Sequence, residues 1–309
     1  MTVTALSTSF FHIHRETDGD RLLEAVCDLP ISGVELDYRL PAAVYHRIRP
    51  HLYRRRIDVV SVHNYFPLPL EFMKIGGGGD LFSLADTRRE ERLEAVKRTL
   101  QTIDHAHDLE ARAVVLHCGR VEMAAETDRL YGDFRKSGTL TEGTREWLAK
   151  KMSERDRLKP AHLDALRFSL EKLLRAADQR HVHLGLETRY HYHELPGPDD
   201  FQPLLEEFDG AALGYWHDTG HAHVNAQLEL VSEDTLLNGL GDRLIGLHLH
   251  DAQGLEDHLP PGAGRIDFKA LASHLAIGAI AVMELRPGTP ADAVREGLAY
   301  LKTCWEENR

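Results

Sequence analysis

The segment 244–264, LIGLHLHDAQGLEDHLPPGAG, has the residue types and spacing of a metal site. Its first residues alternate between apolar and other side chains, which predicts a buried strand with His248 and His250 on one face. Glu256 and His258 follow before a proline-rich turn. Imidazole and carboxylate together favour zinc, manganese, iron or cobalt over calcium. The segment predicts a transition-metal site, although histidines at a strand end can also be ordinary hydrogen-bonded residues.

The same pattern recurs along the chain, because ligand-type side chains stand where most of the predicted strands end. These residues are His63, His117, Glu187, Asp218, His221, His248, Glu256, His258 and Glu284. Several buried carboxylates at one point are costly unless a cation neutralises them. We therefore predict that the side chains converge on a metal. The alternative is a set of unrelated polar residues at strand ends.

The elements that must position these residues are short apolar strands alternating with amphipathic helices. Strands are predicted at 3–11, 33–38, 58–64, 113–119, 183–189, 212–218, 244–251 and 279–286. Helices are predicted at 21–28, 41–56, 86–109, 145–157, 160–180, 199–208, 267–275 and 291–305. Such alternation predicts a parallel sheet of the α/β class.

A single (β/α)8 TIM barrel is the leading architecture at this length. Its active site would lie at the carboxyl ends of the strands, where the candidate ligands stand. An open doubly wound sheet is the alternative, but it would normally carry a glycine-rich phosphate turn after its first strand, which this chain lacks. Since no boundary or internal repeat is visible, residues 1–309 are expected to form one domain.

Composition limits the classes of function. The 309 residues include 37 basic and 49 acidic side chains, a net charge of −12, which argues against a nucleic-acid or anionic-membrane partner. No run approaches about 18 apolar residues, so no membrane span is expected. The widely spaced Cys27, Cys118 and Cys304, with an N-terminus unlike a signal peptide, predict a cytoplasmic protein. Assembly into a homo-oligomer stays open.

Two segments stand apart from the barrel pattern. The long loop 65–84 contains four consecutive glycines at 76–79, which predicts a flexible lid or a tolerated surface insertion. At its start, Tyr65 and Phe66 could form an aromatic wedge for a base stack. The charged insertion 120–159 is predicted to be mainly solvated helix, with an oligomer contact or an active-site cover as alternatives.

Four sequence blocks carry a resemblance to a known superfamily: LETR, HDTGH, HLHDAQG with EDHLPPGAG, and MELRP. With them the chain resembles the xylose isomerase-like TIM barrels, from about the second strand to the eighth. That superfamily contains sugar isomerases and epimerases, related dehydratases, and endonuclease IV. The resemblance implies that Glu187, Asp218, His248 and Glu284 hold a divalent metal.

Endonuclease IV has additional ligands for a cluster of three zinc ions. The matching positions are His63, His117, His221, Glu256 and His258. The chain departs from that pattern at Glu256, where the nuclease has aspartate. The resemblance therefore implies one to three ions of manganese, zinc, cobalt or iron.

The resemblance also implies a reaction, an isomerisation or epimerisation of a sugar or keto-polyol. Glu187 and Glu284 would move a proton next to a carbonyl that the metal polarises. Arg189, His193 and His250 are predicted to contact the substrate. A dehydratase acting on a similar keto-polyol would use the same chemistry.

The alternative function is an endonuclease IV-like zinc phosphodiesterase acting on abasic DNA. It would explain the large ligand set. However, the tight basic cluster 54–56 ends the helix before the third strand, so it is expected at the bottom of the barrel, away from the site. A non-enzymatic binding protein is a third hypothesis, which leaves the carboxylate cluster without a purpose.

Overall fold

Eight parallel strands close into a barrel in the computed structural model, which describes residues 3–14, 18–55, 57–68, 72, 79–275 and 278–306. The barrel strands are β1 Val3–Ser7, β2 Gly33–Leu36, β3 Asp58–His63, β4 Ala113–Leu116, β5 His183–Glu187, β6 Leu213–Asp218, β7 Leu244–Leu249 and β10 Ile280–Met283. Around the barrel their order is β1, β10, β7, β6, β5, β4, β3, β2. The predicted TIM barrel is confirmed, and the open doubly wound sheet is wrong.

Helices follow the strands and pack outside them. They are α1 Asp18–Cys27, α2 Ala42–Arg55, α3 Arg89–Asp108, α4 Thr127–Ser137, α5 Glu142–Arg180, α6 Phe201–Glu207, α7 Thr219–Gln227, α8 Thr235–Leu240, α9 Phe268–Leu271 and α10 Ala291–Glu306. We did not predict α7 and α8, nor the antiparallel hairpin of β8 Asp251–Gln253 and β9 Glu256–Leu259. No helix in the described part of the chain is long and apolar enough to cross a membrane.

Helix α5 runs unbroken for 39 residues, although separate helices were predicted on either side of Pro160. Its start is capped by the Thr141 hydroxyl, which accepts from the backbone N–H of Thr144. Proline removes one backbone donor, but buried contacts hold the helix on both sides of it. Arg155 donates to a carboxylate and His162 bonds to backbone groups of other segments. These tertiary contacts outweigh the local preference for a break.

The barrel interior beneath the strand ends is filled by Trp216, which is completely buried. Its ring needs two glycines on neighbouring strands. A Cβ at Gly246 would lie 2.2 Å from Cζ3 of the indole, and a Cβ at Gly185 would lie 3.0 Å from its Cε3. The indole centre lies 5.2 Å from the centre of the His248 ring. The Trp216 ring therefore packs against the His248 ring from inside the barrel.

The charged insertion covers one side of the barrel mouth. Leu130 and Phe134 of α4 and Leu148 of α5 form an apolar cluster with Tyr192 and Leu255. The last two residues lie on segments that follow β5 and β7 at their carboxyl ends. The prediction of a mainly solvated insertion is incomplete, because one face of it packs onto the loops beside the predicted site.

The loop after β3 is described only in part. Gly76, Gly77 and Gly78 lie outside the described residues, so the flexible lid stays a prediction. Tyr65 and Phe66 are both 2 % exposed, and the Tyr65 hydroxyl donates to the backbone oxygen of Phe82 at 3.0 Å. The suggested aromatic wedge is therefore wrong, because both rings belong to the core.

Candidate metal centre and active site

Four side chains meet at the carboxyl ends of the barrel strands. Glu187, Asp218 and His248 stand at the ends of β5, β6 and β7, and Glu284 directly follows β10. One ligand atom from each lies within 4.8 Å of the others, and all four residues are buried. Nδ1 of His248 lies 2.7 Å from Glu187 Oε1, 3.0 Å from Glu284 Oε2 and 3.6 Å from Asp218 Oδ2.

The charges at this centre are suited to a cation. Burial opposes ionisation of Glu187, Asp218 and Glu284, but neighbouring histidines outweigh it and hold the pKa of each carboxyl low. Burial also opposes the charged form of His248, yet the surrounding carboxylates raise its pKa. Three ionised carboxylates and one imidazole form a donor set typical of divalent transition metals.

An unsatisfied oxygen gives a second test of fit. Oε2 of Glu187 is buried and makes no hydrogen bond, although it lies 2.6 Å from His117 Nε2 and 3.4 Å from His63 Nε2. A buried carboxylate oxygen normally has a partner. An oxygen surrounded by imidazole nitrogens without a hydrogen bond has the arrangement of a metal ligand. The residues present therefore fit a divalent ion.

Two further ligand groups border the first. One comprises His63, His117 and Glu187, so that Glu187 belongs to both centres. Nδ1 of His63 lies 3.0 Å from the backbone oxygen of Asn64. Donation from Nδ1 leaves the Nε2 lone pair facing Glu187, the tautomer expected of a metal-binding histidine.

The third group combines His221 and His258 with Asp257, a residue that the sequence interpretation passed over. His221 places Nδ1 2.8 Å from the backbone oxygen of Thr188, which directs its Nε2 toward Asp257. The predicted ligand Glu256 instead points outward, 59 % exposed, and pairs with Arg286. The prediction that Glu256 is a ligand is therefore corrected: Asp257 stands in the third ligand group in its place.

The irregular β8–β9 hairpin explains why Asp257, and not Glu256, faces the site. Strands β8 and β9 pair with an irregular register, in which Asp251 opposes Leu259 and Gln253 opposes Glu256. His258 has a positive φ of 51°. The local distortion turns Asp257 rather than Glu256 toward the site. Matching positions to the nuclease pattern therefore places the carboxylate one residue too early in this irregular hairpin.

The predicted substrate contacts have different surroundings. Arg189 is buried and donates through Nη2 to Asp80 at 2.6 Å and approaches Glu194 at 3.0 Å, while its Nη1 lies 3.8 Å from Glu187. His250 is completely buried: its Nε2 lies 2.9 Å from Asp218 Oδ1, and its Nδ1 accepts from the backbone N–H of His258. With both nitrogens occupied, His250 orients Asp218 and does not contact substrate.

His193 lines a polar cavity of about 570 Å³ beside the second ligand group. The cavity is also lined by Asp80, whose carboxylate reaches His117 and Arg189. A smaller cavity of about 170 Å³ is lined by Asp37 and Arg39 together with apolar side chains. Since Arg39 approaches Glu284 at 3.5 Å, the smaller cavity adjoins the first ligand group.

A pH dependence of stability is expected from His193. Burial lowers the pKa of this imidazole to about 4, and its Nδ1 has no hydrogen-bond partner. The unfolded chain binds the proton first as pH falls, so stability is lost from the ordinary histidine pKa of about 6.5 down to about 4. His193→Leu should make the free energy of unfolding in urea less pH-dependent, by about 2 kcal/mol between about pH 7 and about pH 5. His46→Leu at an exposed position is the control, and equal slopes in both variants would contradict the expectation.

Sequence reasoning missed Glu35. It lies in β2, is completely buried, and places both carboxylate oxygens 3.1–3.2 Å from Nε2 of His248. Its signal was a glutamate inside the apolar segment GVEL, since a buried carboxylate needs a partner. We had assigned that strand no role in the site.

The fold and site define a TIM barrel with a buried carboxylate–histidine centre at its mouth. The family described as xylose isomerase-like TIM barrel matches residues 23–304, and the chain belongs to this family. A comparison with curated proteins finds no significant match.

Solved structures show the same fold at low sequence identity. A D-tagatose 3-epimerase-like protein superposes with a TM-score of 0.69 at 18% identity, covering 99% of this chain and 98% of its own. A 3-keto-D-glucoside 4-epimerase from E. coli gives 0.66 at 18% identity, covering 98% and 100%. An L-ribulose 3-epimerase gives 0.69 at 15% identity, covering 100% and 96%.

Proposed function

We propose that the protein is a divalent-metal-dependent isomerase or epimerase acting on a keto-sugar. The observation that carries the proposal is the buried group of Glu187, Asp218, His248 and Glu284, in which two glutamates from separate strands meet beside one imidazole. The structural neighbours named as sugar epimerases support the same class. A small sugar is the proposed partner, and the cytoplasm the proposed location.

The two glutamates are the proposed acid and base. A bound divalent ion would polarise the substrate carbonyl as a Lewis acid. The low pKa of Glu187 and Glu284 keeps both ionised at neutral pH, so either can accept a proton from the carbon next to that carbonyl. The other glutamate, after taking up a proton from solvent, would deliver it to the opposite face and so invert that carbon, while the first glutamate releases its proton to solvent. Loss of a neighbouring hydroxyl instead would make the reaction a dehydration.

Arg189 and the buried Trp216 support this chemistry. Arg189 carries a positive charge 3.8 Å from Oε2 of Glu187, which helps to keep that carboxylate ionised. The completely buried Trp216 indole fills the barrel interior below His248. Manganese, zinc, cobalt and iron each suit the carboxylate and imidazole donors.

The second candidate is an endonuclease IV-like zinc phosphodiesterase. The two further ligand groups favour it, because Glu187 is shared between centres as a bridging ligand would be. The buried Tyr65 and Phe66 and the net charge of −12 speak against binding of DNA. We therefore rank the isomerase first.

Metal analysis and solvent labelling test the proposal together. Protein purified without added metal should contain at least one divalent transition metal per chain, and Asp218→Ala should lose it. The metal-loaded protein, incubated with D-fructose, D-tagatose and D-psicose in deuterated water, should introduce deuterium next to the carbonyl. Three zincs per chain with incision of an abasic duplex, and no labelling, would favour the phosphodiesterase.

A further inference from the structure

The ring of His248 is held from two opposite sides. Its Nδ1 faces the carboxylates of Glu187 and Glu284, at 2.7 Å and 3.0 Å. Its Nε2 faces the carboxylate of Glu35 alone among the contacts of the described residues, at 3.2 Å from Oε1 and 3.1 Å from Oε2. Since the two nitrogens lie on opposite edges of the ring, Glu35 cannot share a metal with Nδ1.

Glu35 is itself held in place by the neighbouring strand. The Ser61 hydroxyl donates to Glu35 Oε2 at 2.8 Å, and both residues are completely buried. Strands β2 and β3 change register at this point: Val34 pairs with Val59, whereas Glu35 pairs with Ser61. A bulge re-aims side chains at the strand positions beside it. The irregular pairing thus brings the Ser61 hydroxyl opposite Glu35, beneath His248.

We propose that Glu35 is a positioning residue, which accepts a hydrogen bond from the Nε2–H of His248 and so presents the Nδ1 lone pair to the metal. A neutral imidazole has one protonated nitrogen, and the hydrogen bond at that nitrogen selects the tautomer. A carboxylate partner also makes the other nitrogen a better electron donor. The inference rests on the metal centre of the proposed function and is independent of the reaction performed there.

Burial makes this contact more than a packing detail. A carboxylate at 0% exposure is tolerated only with close partners, and Glu35 has the imidazole on one side and the Ser61 hydroxyl on the other. It contributes a fourth carboxylate around His248, beyond the three that face Nδ1. The added negative charge strengthens the attraction of the whole centre for a cation.

Three variants separate the hydrogen bond from the charge. Glu35→Met keeps the length of the side chain without an acceptor, and metal affinity should fall about 10- to 100-fold. Glu35→Gln keeps an acceptor oxygen without the charge and should lose less. Ser61→Ala removes the group that orients Glu35 and should also weaken binding. Glu229→Gln, at an exposed carboxylate on the surface, should leave affinity unchanged.

Affinity is measured by titrating Mn²⁺ and Zn²⁺ into metal-free protein of each variant, with circular dichroism as a check of folding. In the zinc-loaded parent, the ¹⁵N signals of His248 should show the proton on Nε2; the signals are assigned by their absence in His248→Gln. A proton on Nδ1, or parental affinity in folded Glu35→Met, overturns the inference. If Glu35→Met does not fold, two other results decide the inference. It is overturned by a proton on Nδ1 in the ¹⁵N spectrum of the parent, or by parental affinity in both Glu35→Gln and Ser61→Ala. A parent that binds no metal refutes the proposed centre itself.

Discussion

Glu187→Gln and Glu284→Gln should each lower turnover of a keto-sugar by about 10²-fold or more, the scale of a lost general base. Glutamine keeps the shape of the side chain and one oxygen that can bind a metal, but it cannot accept the proton. The variants should therefore retain part of their metal while deuterium incorporation from solvent falls with turnover. Initial rates, metal content and product labelling are measured on the same preparations.

Glu229→Gln is the matched control for this experiment. Its carboxylate is exposed and pairs with Arg145 on the surface, so the same chemical change there should leave the rate as in the parent. Turnover that proceeds without any solvent label in the product would contradict the proton-transfer mechanism. It would point to hydride transfer between carbons, in which neither glutamate acts as a base.

Asp200→Ala should destabilise the protein by about 3–5 kcal/mol, because it leaves the buried Arg155 guanidinium with only the exposed Asp156, 3.7 Å away, as a counterion. Asp200 accepts from Arg155 at 2.8 Å and from Lys159 at 3.0 Å, and the Arg155 side chain is only 3% exposed. Burial opposes ionisation of Asp200, but Arg155 outweighs it and lowers the pKa of the carboxyl. Urea unfolding at neutral pH measures the difference.

Asp164→Ala on α5, the helix that carries Arg155, serves as the comparison. Its carboxylate pairs with Arg167 at 2.9 Å but is 77% exposed, so its removal should cost less than about 1 kcal/mol. A similar loss in both variants would show that burial of the Arg155 pair has no special weight. Because the pKa of Asp200 is lowered, its contribution is present above the ordinary aspartate pKa and is lost as pH falls through the folded value.

The sequence was informative about the barrel and most of the site for one reason. In a parallel barrel every strand ends at the same mouth, so polar residues at strand ends can be assigned to one place without knowing any contact. The structure brings Glu187, Asp218, His248 and Glu284 together in this way. Their role as ligands stays a prediction until metal is measured.

Local distortions were beyond such reasoning. Glu35 is aimed at His248 across irregular strand pairing, and Asp257 replaces Glu256 through an irregular hairpin. Both distortions depend on strand pairing, which the pattern of apolar side chains does not reveal; for Glu35 the only sequence signal was a glutamate inside the apolar segment GVEL. The role of His250 was also hidden, because its Nε2 contacts Asp218 at the end of β6, 32 residues away in the chain.

The unbroken helix α5 has a consequence for how the protein opens locally. At about 1.5 Å per residue it is roughly 58 Å long, and its second half packs on the barrel while its first half carries the insertion. One continuous helix thus joins the cover of the mouth to the wall of the barrel. Slow amide exchange should extend from the barrel into the insertion, so that both belong to one cooperative unit.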